Sequence, residues 1–177
     1  MSKPPDAPRA SPVANDPDGS DAPSALTREL TRVEEANRSF YEAFRDRDID
    51  RMSRLWAKSP HTRCVHPGWE LVVGWTDIRQ SWSEIFRTIN AAEFELEDVH
   101  VEVAGRTAWA NLIAYVRIET DEGESFHATM VTTNIFERVD GQWLLVLHHS
   151  SNMAEDEDED SEDFGFESST PGNSEPN

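Results

Sequence analysis

The spacing of apolar residues changes once along this 177-residue chain, near Asn90, and that change fixes the class of fold it can adopt. Before it, apolar side chains recur every three or four positions, the spacing of one helical face. After it they recur every two, as in a strand whose two sides meet different surroundings. Leu26, Leu30, Val33, Asn37, Phe40 and Phe44 trace one face of a long first helix, with Ser24 or Thr27 placed to cap its start. Asp48 caps a short second helix that presents Ile49, Met52, Leu55 and Trp56, and Ser59-Pro60 ends it because proline lacks the amide a continuing helix needs. A third helix begins near Thr76 and aligns Ile78, Trp82, Ile85, Phe86 and Ile89. Two short extended runs, residues 62–66 and 70–73, lie between the second and third helices and are broken at Pro67-Gly68.

Beyond Asn90, Phe94 and Leu96 alternate with glutamates, and Val99, Val101 and Val103 repeat the pattern out of phase. Glu97-Asp98 must therefore hold a bulge or bend. Turn signals at Ala104-Gly105-Arg106, Asp121-Glu122-Gly123 and Asp140-Gly141 delimit long strands over residues 107–120, 125–139 and 142–149. In the first of these, Ala108, Ala110, Leu112, Ala114, Val116 and Ile118 share one face, and Trp109, Asn111, Ile113, Tyr115 and Arg117 share the other. Neither face is simply polar, so both should be covered, one by the helices and one by a partner subunit. The expected fold class is α+β: three helices packed on a strongly curved, mainly antiparallel sheet, a cone-shaped roll.

Composition divides the chain into a domain at 25–153 and two tails, 1–24 and 154–177. The Pro/Asp/Ser-rich first tail and the acidic second one, with Glu155-Asp156-Glu157-Asp158-Glu159-Asp160, hold too few large apolar residues to offset chain entropy and are expected to be disordered. Of the formal charge of −19, the two tails carry more than half. A field of that sign repels phosphate backbones and anionic bilayers, so neither nucleic acid nor membrane is expected as a partner. Cys64 is the one cysteine, which rules out an intrachain disulfide. The residues after Met1 do not resemble a signal peptide, and no apolar run approaches the roughly 18 residues of a membrane span, so a cytoplasmic location is expected.

Three local features, in this order, resemble the nuclear-transport-factor-2-like superfamily and, within it, the SnoaL-like proteins. They are the first helix running into Asp48-Ile49-Asp50-Arg51-Met52, then Cys64-Val65-His66-Pro67-Gly68 followed by Gly74-Trp75-Thr76-Asp77-Ile78, and last Asp140-Gly141-Gln142-Trp143 leading into His148-His149-Ser150-Ser151. The resemblance implies a sheet wrapped round the helices with a pocket at the open end of the cone. Members include isomerases, cyclases and epoxide hydrolases as well as non-catalytic binding or association modules, so fold alone leaves function open.

In the steroid-isomerase branch a general-base aspartate stands where His66-Pro67 falls here, which makes His66 the candidate catalytic acid/base. The alternative for His66 is a strand-end histidine bonded to a backbone carbonyl. The same branch places an oxyanion-stabilising tyrosine where Phe40 stands, with Tyr41 one residue away; Phe40 has no donor. On the closing strand, His149 alternates with Trp143, Leu145 and Leu147, and by comparison with the family that face lines the cone. His148 would then lie on the outer face. Trp69, beside the Pro67-Gly68 turn, is the expected rim aromatic, while Trp56, Trp82 and Trp143 read as core. His66, His127 and His149 show no ligand spacing of the H-E-x-x-H kind, and neither metal nor cofactor is expected. Two functions follow as expectations. One is a homodimeric pocket protein binding a small, mostly apolar molecule through His66, Trp69, His149 and Tyr41, with His-mediated proton transfer of the isomerase or cyclase kind. The other is a non-catalytic dimerisation or protein-association module with an acidic tail.

Overall fold

The computed structural model describes residues 23–153. The expectation of disordered tails falls on residues 1–22 and 154–177, outside the described residues. Helix α1 spans Ala25–Arg45, α2 Ile49–Leu55 and α3 Trp75–Thr88. Ser24 Oγ accepts from the Thr27 amide at 3.0 Å, and Asp48 Oδ1 accepts from the Asp50 and Arg51 amides at 3.0 and 2.8 Å, so both expected caps quench orphan donors. Gly74 starts α3 with φ of 85°, a conformation any other residue would hold under strain. The buried stripe of α1 runs through Val33, Asn37, Phe40 and Tyr41; Leu26, about two turns before it, stays exposed.

The strands are β1 Arg63–Val65, β2 Val72–Val73, β3 Ile89–Ala104, β4 Thr107–Thr120, β5 Ser125–Val139 and β6 Gln142–Asn152. They form one sheet in the order β2-β1-β6-β5-β4-β3, in which β3 to β6 make the expected antiparallel meander. The short β1 adds to the far side of β6 in parallel, and β2 returns antiparallel to β1. The sheet does not close, and its helix-side face wraps α1, which contacts β3, β4 and β6. Alanines at 108, 110 and 114 on that face of β4 are buried and let the helix backbone lie close. Asp140 and Gly141, at φ of 48° and 79°, make the tight hairpin between β5 and β6.

Two irregularities bend the sheet. In β3 the register shifts between Glu97 and His100, where Asp98 has φ of 48°, so the out-of-phase pairs Phe94/Leu96 and Val101/Val103 all pack toward the core. In β6 the register shifts where Ile135 pairs with Leu147 and Phe136 with Leu145, leaving Val146 as an extra residue. Before this bulge Trp143 and Leu145 point inward; after it His148 and Ser150 do. The expectation that His149 continues the inward face is therefore corrected: His149 is exposed on the outer face, and His148, expected outside, is 4% exposed. The parallel pairing agrees, because the buried Cys64 sits opposite His148 while Val65 sits opposite His149.

Candidate functional site

A cavity of about 490 Å³ opens between the helices and the inner face of the sheet. Its walls are aromatic. Phe40 meets Trp82 with ring centroids 5.4 Å apart and planes at 80°, and Phe44 meets Phe94 at 4.8 Å. Val116, Ile118 and Ile85 complete the apolar lining, and Trp69 and Phe126, each nearly half exposed, stand at the mouth. Trp69 meets His66 edge-on at 5.0 Å, so it takes the rim place expected of it.

Two imidazoles face each other inside, His66 from the end of β1 and His148 from β6, with centroids 6.4 Å apart. His66 Nε2 lies 2.8 Å from Ser81 Oγ, and Ser81 Oγ donates to the Ile78 carbonyl at 2.9 Å. With the single hydroxyl proton used there, His66 donates from Nε2 and keeps Nδ1 as its acceptor. Its partner is thus a side-chain hydroxyl of α3 rather than a backbone carbonyl. His148 Nδ1 lies 2.7 Å from Asn134 Oδ1, its direct cross-strand neighbour, and Asn134 Nδ2 donates at 2.7 Å to Asn37 Oδ1 on α1. An amide oxygen only accepts, so this relay holds the proton on His148 Nδ1 and leaves Nε2 as the acceptor. Asn37, Asn134, Ser81 and both histidines are all buried.

Burial keeps both rings neutral: it lowers His66 to about 4 and His148 to about 3, the latter helped by the neighbouring His66 and His149. Tyr41 also lines the cavity. Burial pushes its hydroxyl up to about 12, partly offset by Thr132 and Asn134 nearby, yet the hydroxyl makes no hydrogen bond of good geometry. Burial likewise raises the Cys64 thiol, whose sulfur lies 3.6 Å from His66 Nε2, so it is no thiolate nucleophile. The interior therefore offers proton donors and acceptors of zero charge in an apolar chamber. Among the described residues no three of His, Cys, Asp and Glu converge as a metal site, and His127 and His149 lie exposed, apart from His66.

Of the four residues expected at the site, His66, Trp69 and Tyr41 come together and His149 does not. His148, Asn134, Asn37 and Ser81 were missed. One signal for them was available: Asn37 is the only polar residue in the apolar stripe of α1, and a buried amide implies a partner.

Comparison with known proteins agrees with this geometry. Residues 33–155 match the SnoaL-like domain family. The F-box protein SKIP8 of Arabidopsis thaliana is 33% identical over 133 residues, covering 75% of this chain but 53% of its own length. The chain thus spans about half of that relative. A candidate dehydratase of the NTF2-like family from Streptomyces avermitilis is 30% identical, with a TM-score of 0.67, covering 72% of this chain and 98% of that one. A candidate calcium/calmodulin-dependent protein kinase type II association domain from Thiobacillus denitrificans is 26% identical, with a TM-score of 0.61, covering 68% and 94%. In its cone of three helices on a bent sheet, and over most of its described length, this chain belongs to the SnoaL-like domain family of the NTF2-like superfamily.

Proposed function

We propose that the cone binds a small, mostly apolar molecule and moves a proton on it. The observation that carries this reading is the pair of neutral imidazoles, 6.4 Å apart, inside an aromatic cavity large enough for a bicyclic ligand. On a carbonyl compound, the lone pair of His66 Nδ1 or His148 Nε2 takes a proton from the carbon next to the carbonyl. The Tyr41 hydroxyl, still protonated at neutral pH, donates to the carbonyl oxygen as negative charge develops there. Imidazoles this weakly basic act only on an activated carbon, which makes the Tyr41 donor part of the chemistry rather than an accessory. Similarity to the candidate dehydratase favours the same class of proton chemistry. The test uses a neutral bicyclic ketone such as 1-tetralone in deuterated buffer, with binding followed by tryptophan fluorescence and α-proton exchange by NMR. Exchange above the buffer rate in the wild type, lost in His66→Ala, is the expected result. A His66→Ala variant with full binding and full exchange removes His66 from the reaction, and absence of any binding removes the pocket reading.

A second reading rests on the outer face of the sheet. Tyr115 and Val131 are exposed there, beside the half-buried Trp109, Ile113 and Ile135, and they form a cross-strand apolar strip of the kind that pairs two copies. We infer a homodimer through this face. Similarity to the candidate association domain supports an assembly role, and it is compatible with an occupied cone.

A further inference from the structure

The sheet side of the chamber has spent its proton donors. Thr132, His148 and Ser150 line the cavity from β5 and β6, and all three are buried. Ser150 Oγ donates to Met130 Sδ at 3.4 Å, so the 2.9 Å contact between Thr132 Oγ1 and Ser150 Oγ uses the Thr132 proton. Neither hydroxyl has a proton left for a ligand. His148 spends its own N–H on Asn134 Oδ1. Its ring is held by aromatic neighbours, with the Phe40 centroid 4.8 Å away and that of Trp82 at 5.8 Å.

A second observation singles out one atom. His148 Nε2 accepts no hydrogen bond from any described residue, yet it is not one of the enclosed side-chain nitrogens and oxygens that lack a partner. The atom therefore has accessible surface, and the open space its residue borders is the cavity. The relay from Asn37 through Asn134 thus ends in a lone pair presented to an apolar chamber. A ligand seated on this wall displaces solvent from that lone pair, and only a donor on the ligand restores the hydrogen bond.

Resting on the reading that the cone binds a small molecule, we propose that this molecule carries a neutral hydroxyl on its ring system and that the hydroxyl donates to His148 Nε2. His148 is then the residue that sets specificity, and His66 Nδ1 is the lone pair left to take a proton from carbon. A compound with the same rings and carbonyl but no hydroxyl leaves Nε2 without a donor. Its methyl ether adds bulk and no donor, and a phenolate or carboxylate sets charge and lone pairs against a lone pair.

Five neutral probes test this on the full chain at pH 7, with binding followed by tryptophan fluorescence: 1-tetralone, its 5-hydroxy and 7-hydroxy derivatives, and the methyl ether of each. The better hydroxy isomer should bind about three- to tenfold tighter than 1-tetralone, and its methyl ether no tighter. In His148→Phe, which keeps an aromatic ring beside Phe40, that gain should vanish while 1-tetralone still binds. Nitrogen-15 NMR of the wild type gives a readout independent of how well the variant folds. His148 Nε2 should resonate as an unprotonated nitrogen, move upfield with the hydroxy probe and stay in place with the methyl ether. No gain from either hydroxyl, a gain that survives in His148→Phe, an Nε2 that carries the proton, or an Nε2 resonance unmoved by a bound hydroxy probe overturns the inference and leaves the pocket reading standing. Failure of all five probes to bind overturns both.

Discussion

Taking the pH from 8 down to 5 should remove about 4 kcal/mol from the folding stability of this domain, with His66 and His148 carrying the loss. Both rings are held neutral by burial, at about 4 and about 3, against 6.5 for an unperturbed imidazole. The sign follows from which state takes up the proton. Below pH 6.5 the unfolded chain protonates both rings, while the folded chain does so only as the pH approaches 4 for His66 and 3 for His148. Their contribution is fully present above pH 6.5 and disappears as the pH falls through that window. At pH 5 each ring contributes a deficit of about 2 kcal/mol, a large share of the roughly 5–15 kcal/mol that holds a domain of this size together. The two losses are coupled, since a charge on one ring opposes a charge on the other 6.4 Å away.

The measurement is urea unfolding, followed by tryptophan fluorescence, at half-unit steps from pH 8 to 5. It is made on the wild type, His66→Gln, His148→Gln and the double variant. Between pH 6 and 5 the wild-type stability should fall by about 2.4 kcal/mol from these two rings, and each glutamine should remove about half of that slope. Differences between profiles cancel every group common to the chains, the carboxylates included. Each variant has its own offset in stability, but the slope is the diagnostic quantity. A glutamine variant with the wild-type slope would show that its histidine is not held neutral, and the argument for an uncharged site would fail with it.

Asn134→Leu should destabilise the domain by about 2–4 kcal/mol, because it strips partners from both His148 Nδ1 and Asn37 Oδ1. It should also let the His148 proton redistribute between the two ring nitrogens, as read by nitrogen-15 NMR. A stability loss with an unchanged His148 tautomer would separate packing from positioning and remove the relay's role. For assembly, the wild type should sediment as a dimer at tens of micromolar and Val131→Arg as a monomer with its fold intact. A monomeric wild type, or a dimeric variant, refutes pairing through the outer face.

Where the apolar period was clean, the sequence was enough. The stripe through Val33, Asn37, Phe40 and Phe44, the Asp48 cap, the bulge forced by out-of-phase Phe94/Leu96 and Val101/Val103, and the turns at Gly105, Gly123 and Gly141 all lie where local chemistry puts them. The closing strand failed for a definable reason. Leu144-Leu145-Val146-Leu147 is apolar at four successive positions, so alternation carries no phase across it, and an extra residue inserted there is invisible to a pattern of two. That bulge, at Val146, decides which of two adjacent histidines faces the cavity. The parallel pairing of β1 with β6 was equally hidden, since three residues are too few to show a period and a non-local partner leaves no local trace. His66, Trp69 and Tyr41 were legible because they flank signals with fixed geometry: a proline-glycine turn and a helix stripe.

The buried polar groups bear on why this interior is built as it is. Asn37, Asn134 and His148 occupy space that apolar side chains of similar volume could fill without loss of stability, and such a core would lack the acid sensitivity argued above. What leucines there could not do is fix a tautomer: the chain of amides from α1 across β5 gives His148 one donor nitrogen and one acceptor nitrogen. Among the described residues three buried side-chain donors lack a hydrogen bond; Tyr41 and Trp82 are residues of the cavity wall, and Trp56 packs against Trp75. An amide relay that fixes one imidazole tautomer in the wall of a cavity is what the proposed proton transfer requires, and it is the feature an all-apolar core would lack.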